Sequence, residues 1–183
     1  MRELDHVIVA ARTLDEGAAW VEKKLGVAPG PGGKHVLMGT HNRLLSLGPG
    51  VFLEVLAIDP DAPPPARPRW FELDTPAMKA RLAKSPVLLH WVERTDDLEA
   101  ALRDYSHPVE ILSLSRGAYR WRMGVTRDGS LPGGGEVPTL IQWEGGRPAD
   151  ALADSGCRLL RFEHRNGVLT ADFSTPSGVR TIR

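Results

Sequence analysis

Two stretches of the chain, "LDHVIVAARTLDEGAAWVEKKLG" from Leu4 and "LLHWVERTDDLEAALRDY" from Leu88, follow one plan. Each opens with an apolar strand carrying a single histidine, passes through a Thr/Asp-rich helix start and enters an amphipathic helix. Three strand-like runs follow each helix, which makes the chain a duplication of a strand-helix-three-strand module. Along "LDHVIV" a period of two places Leu4, His6 and Ile8 on one face and Val7 and Val9 on the other, and along "VFLEVLAI" it opposes Phe52, Glu54 and Leu56 to Leu53 and Val55. Both faces are apolar, so these strands need helices on one side and a cavity or the partner module on the other.

In the first module a strand over 4–10 leads to a helix opened by a capping box, Thr13 with Glu16, and ended by Gly26. Strands follow near 34–38, 42–47 and 51–58, separated by Gly39-Thr40 and Gly48-Pro49-Gly50. The stretch "DPDAPPPARPRW" is too rich in proline for helix or interior strand and reads as an extended surface connection, with a short helix starting at Thr75-Pro76. The second module has a strand over 87–93, a helix over about 96–105 stopped by His107-Pro108, and strands near 109–114, 118–125 and 138–144. A short helix over 149–155 and a terminal hairpin, "CRLLRFEHRN" with "VLTADFS", complete the chain. The expected organisation is 1–60 for the first module, 61–86 for the linker, 87–147 for the second module and 148–183 for the extension, an α+β fold.

The strings "LDHVIV", "GGKHVLMGTHNRLLSLGPGVFLEVLA" and "VPTLIQWEGGRP" resemble the vicinal-oxygen-chelate superfamily, and within it the glyoxalase-like domain proteins, over most of residues 4–165. That resemblance implies a glyoxalase/bleomycin-resistance/dioxygenase-like sheet curled around a cavity. It also implies metal ligands on the first and fourth strand of each module, which here are His6, Glu54, His90 and Gln142. Two histidines and a carboxylate suit zinc, nickel, manganese or iron, and a metal-free cavity accommodates them equally. Gln142 departs from the glyoxalase I pattern, whose isomerisation depends on a glutamate on the last strand of the second module; Glu144, two residues on, is the alternative for that role beside Glu54.

Several polar residues are candidates for substrate binding. His35 and Asn42 belong to the polar string "GGKHVLMGTHN", and Arg116 opens the arginine-bearing string "RGAYRWRMGVTR", where a carboxylate can be clamped bidentately. Trp121 and Trp143 read as core, His107 and His164 as structural, and the glycine-rich stretch 127–138 as a lid or a plain connection. No phosphate loop, serine elbow or zinc-finger spacing is present. Lys+Arg and Asp+Glu both number 23, so no net field draws the chain to nucleic acid or an anionic membrane.

These features give an expected partner and setting: a small-molecule ligand, a homodimer, and, with one cysteine and no apolar leader, a cytoplasmic location. Two functions fit. One is a lyase, isomerase or dioxygenase acting on a small oxygen-rich substrate such as a 2-oxo acid, a hydroxy acid or a catechol-like diol. The other is a metal-free protein that sequesters a small molecule.

Overall fold

The structure is a computed structural model that describes residues 1–183. Strand β1 (Glu3–Ala10) leads into helix α1 (Leu14–Leu25), and the module is completed by β2 (Lys34–His35), β3 (Thr40–Ser46) and β4 (Phe52–Ile58). The second module repeats the order with β5 (Val87–Arg94), α3 (Leu98–Arg103), β6 (Glu110–Arg116), β7 (Tyr119–Val125) and β8 (Thr139–Trp143), after a linker containing α2 (Pro76–Leu82). The eight strands form one sheet in the order β2-β3-β4-β1-β5-β8-β7-β6. The first strand of each module lies parallel to the fourth, and β1 and β5 join the modules as an antiparallel pair. Each half therefore has the same strand order outward from that junction.

Only the N-cap half of the capping box forms: Thr13 Oγ1 accepts from the Glu16 N–H at 3.2 Å, while the Glu16 carboxylate takes Arg12 instead of the Thr13 N–H, and Gly26, at φ 76°, closes the other end by donating to the Glu22 carbonyl. The strand expected over 34–38 is shorter. It ends at His35 and gives way to a tight turn over Val36–Met38, in which Met38 is buried while Val36 and Leu37 stay exposed.

The sheet is curled, and its two faces bury separate cores. Ile8, Leu56, Val92, Trp121, Met123 and Ile141 face inward, whereas Val7, Val9, Leu53, Val55 and Trp91 face outward against α1 and the C-terminal extension. That extension differs from the expected hairpin. After a one-turn helix α4 (Pro148–Ala151) it forms a three-stranded antiparallel sheet of β9 (Arg158–Arg165), β10 (Val168–Thr175) and β11 (Gly178–Ile182), which buries Leu169, Ala171, Phe173 and Ile182 on the outer core. No helix is long and apolar enough to cross a membrane.

The linker is only partly a surface connection. Its proline-rich part is largely exposed, but Trp70, Phe71, Leu73, Met78 and Leu82 enter the inner core. Apolar side chains outweigh the prolines here, because the curled sheet leaves its concave face to be filled. Phe71 and Glu72 adopt φ of 57° and 61°, a left-handed pair that non-glycine residues seldom take, and Glu72 donates its N–H to the Gly129 carbonyl at 2.7 Å. The stretch read as a lid or connection is thereby tied to the linker, and it inserts Leu131 into the inner core.

Candidate active site

A cavity opens on the concave face of the sheet, lined by residues of both modules. It is lined by His6, His35, Asn42, Glu54 and Arg116 among Phe52, Trp70, Phe71, Trp121, Met123 and Trp143, and its free space of ≈ 30 Å³ admits a group of only a few non-hydrogen atoms. Strand pairing explains the convergence. Glu54 on β4 lies beside Ile8 on β1 and opposite Leu44 on β3, and His6 lies beside Phe52, so inward side chains of three adjacent strands meet over this patch.

His6 is held on one side and free on the other. A β-bulge leaves Asp5 without a partner on β5, between the pairs Leu4–Glu93 and His6–Val92. Asp5 is fully buried, its Oδ1 lies 2.6 Å from His6 Nδ1, and its Oδ2 accepts from Trp143 Nε1–H at 2.9 Å. The short contact assigns the Nδ1 proton to the Asp5 side, leaving Nε2 facing Glu54 Oε2 at 3.6 Å. Phe52 stacks on the imidazole at 4.5 Å and fixes the ring plane.

Asn42 organises the other side. Its amide donates to Glu54 Oε1 at 2.6 Å and lies 3.2 Å from His35 Nε2, while its oxygen accepts from the Gly33 N–H at 2.9 Å and from Arg116 Nη1 at 2.8 Å. Since His35 Nε2 accepts, its Nδ1 carries the proton and donates to Thr40 Oγ1 at 3.0 Å. Burial lowers the His35 pKa to about 4 against the opposing pull of Glu54, so this ring is neutral near pH 7. Trp70 and Trp121 bury their indole N–H groups with no protein acceptor.

The four residues implied as metal ligands do not meet. His90 is fully buried and is bonded through Nε2 to Thr139 Oγ1 at 3.0 Å, with Phe71 5.2 Å from its ring and Nδ1 unpartnered. Burial pushes its pKa down to about 3, with His6 and His164 adding to the effect. Gln142 points to the outer face, where its oxygen accepts from the Leu98 N–H, capping α3, and from Arg122 Nη2, both at 2.9 Å. Glu144 is on that outer side too, 3.5 Å from Arg122 Nε and half exposed. Within the cavity, Asn42 occupies both Glu54 Oε1 and His35 Nε2, and no group of three or more His, Cys, Asp or Glu side chains is arranged to hold an ion. The donor set does not fit a metal.

Strand register gives the reason Gln142 misses. Ile8 pairs with Glu54 in the first module, and Val92 pairs with Thr139 in the second. β1 and β5 carry matching bulges, at Asp5 and at Leu89, immediately before each histidine, which makes Val92 the counterpart of Ile8 and Thr139 the counterpart of Glu54. Gln142 is three positions further along β8, an odd step that turns it to the opposite face. Sequence reading missed Asp5, the aromatic wall and Trp143. The adjacent Asp-His pair was visible, but strand alternation sends neighbours to opposite faces, and nothing in the sequence marks the bulge that brings them together.

A family model described as "Glyoxalase-like domain" matches residues 4–171. Among solved structures, methylmalonyl-CoA epimerase from Mycobacterium tuberculosis is 20% identical with a TM-score of 0.50, over 81% of this chain and 91% of that one. A hypothetical protein from Staphylococcus aureus is 14% identical with a TM-score of 0.53, over 100% of this chain and 86% of that one. Both likenesses concern the fold. No curated protein matches. With the family match covering both modules and the curled sheet around the site, the chain belongs to the glyoxalase-like domain family.

Proposed function

We propose that this chain is an acid-base enzyme that moves a proton on a small carbonyl-bearing carbon acid in this cavity, without a metal ion. The observation that carries the reading is the chain Asp5–His6–Glu54, with 2.6 Å and 3.6 Å between successive polar atoms, beside a cavity walled by aromatic side chains. Glu54 Oε2 and His6 Nε2 face each other closely enough to act on one substrate. The Glu54 carboxylate takes the proton from carbon while His6 Nε2–H gives its proton to the carbonyl oxygen, forming the neutral enol. Asp5 stays ionised, holds the Nδ1 proton and stabilises the charged ring before transfer, and Asn42 fixes the carboxylate that receives the proton. Return of the two protons regenerates the site, and return to a different face or atom isomerises the substrate. Proton removal and return at carbon is also the kind of change the name of the epimerase sharing this fold denotes.

The test is deuterium exchange at C3 of phenylpyruvate and related 2-oxo acids, followed by proton NMR in D₂O containing EDTA. Exchange well above the uncatalysed rate is expected. Exchange that appears only after a divalent ion is added would overturn the metal-free mechanism, and binding without exchange would favour sequestration.

A further inference from the structure

Arg116 is a partly buried cation without an ionic partner. No carboxylate lies within salt-bridge distance of it, its only protein hydrogen bond is the one to Asn42 Oδ1, and its guanidinium lies over the Tyr119 ring at 5.7 Å. Space for this arm is made by Gly33, where a Cβ would come 2.5 Å from Arg116 Cδ. Burial lowers the pKa of the group and Glu54 acts against that, which places the charge within reach of the site's field.

The residue also stands between two spaces. Arg116, Leu44 and Pro148 line both the small inner cavity and a second, outer one of ≈ 300 Å³, whose wall is completed by Tyr119, Pro31 and Leu152 among others. The inner space has room for a few atoms and the outer space for a larger body. At the junction are an unpaired cation and, on the inner wall, the unpartnered indole N–H of Trp121.

We propose that Arg116 sets specificity for an elongated monocarboxylate: its guanidinium binds the terminal carboxylate at the throat, and the body of the molecule occupies the outer cavity. Neither the clamp nor the outer space depends on the acid-base reading above. The guanidinium offers five N–H donors and spends one on Asn42, so two parallel bonds to a carboxylate remain available without releasing that contact.

The experiment uses the full chain and non-reacting probes, with binding followed by tryptophan fluorescence and calorimetry: 3-phenylpropionate, its neutral amide 3-phenylpropionamide, and acetate. Wild type is expected to bind the phenylpropionate at least about tenfold tighter than the amide, and tighter than acetate by a similar factor. Arg116→Gln, which keeps a donor for Asn42 and hence the local fold, should erase the preference for carboxylate over amide while leaving amide affinity within about threefold; Arg116→Lys should restore part of it. Glu54→Gln should keep the preference, so loss of proton exchange with the preference intact would sink the catalytic reading and spare this one. Equal binding of acid and amide by wild type, or an unchanged preference in Arg116→Gln, would overturn the clamp. Acetate binding as tightly as phenylpropionate would overturn the outer space as part of the site.

Discussion

Asp5 and Leu89 occupy the same bulged position in two strands that pair with each other, one residue before His6 and one before His90. The first strand thus gives its histidine a buried carboxylate, and the second gives its histidine a hydrocarbon. The same divergence recurs across the sheet, where Glu54 in the first module corresponds to Thr139 in the second. The second module keeps the histidine and loses both acids, and Phe71 from the linker packs against what remains. On the proposed acid-base reading, these replacements confine the site to His6 and Glu54 of the first module.

Asp5→Asn tests the backing of His6. An amide in place of the carboxylate favours donating to Nδ1, which removes the proton from that nitrogen together with the counter-charge and leaves a neutral ring protonated only at Nε2. Proton exchange with phenylpyruvate is expected to fall about 10²–10⁴-fold with little change in KM. The ¹⁵N shifts of the His6 ring should report the loss of the Nδ1 proton. Unchanged shifts with unchanged turnover would remove Asp5 from the mechanism.

Stability should fall on mild acidification. His35 and His90 have folded-state pKa values of about 4 and about 3, both below the ordinary 6.5, and burial is the first cause in each. Below pH 6.5 the unfolded chain takes up protons on these rings that the native chain refuses, so their full contribution is present above pH 6.5 and is lost as pH drops toward 4 and then 3. The slope rises toward roughly 1.4 kcal/mol per pH unit per ring as pH falls below 6.5, so the two rings together remove about 3 kcal/mol between pH 6.5 and 5. Urea titrations at both pH values measure this, and His90→Leu should roughly halve the slope. The same slope in that variant would show that His90 does not titrate as described.

The C-terminal sheet should be structural. Phe173 is fully buried in the outer core, shared with Val7, Val9 and Leu53. Phe173→Ala is expected to cost about 3–5 kcal/mol in thermal or urea unfolding, while probe binding at low temperature stays intact. A loss below about 1 kcal/mol would mean that the sheet does not cover that core.

The duplication was legible because hydrophobic period and cap chemistry are local. Thr13, Glu16 and Gly26 define a helix wherever it packs, and His6 and Glu54 lie on inward faces that alternation fixes within one strand. What could not be read depends on pairs of strands. Whether Glu54 corresponds to Gln142 or to Thr139 is a matter of how β4 registers on β1 and β8 on β5, and a step of three along β8 exchanges the faces. The linker's entry into the concave face was hidden for a similar reason: its prolines exclude regular structure, but only the shape of the sheet shows that Trp70 and Phe71 are needed inside. Gly178–Ile182, as β11, finds its place only against β10.

The most direct measurement compares the two halves of the repeat in one assay, α-proton exchange with phenylpyruvate in EDTA. Glu54→Gln and Thr139→Val each replace one member of a corresponding pair, and circular dichroism and urea midpoints confirm that both proteins are folded. Glu54→Gln is expected to lose at least about 10²-fold in rate, and Thr139→Val to stay within about threefold of wild type. Equal losses in the two variants, or full activity in Glu54→Gln, would contradict a single metal-free site built on His6 and Glu54.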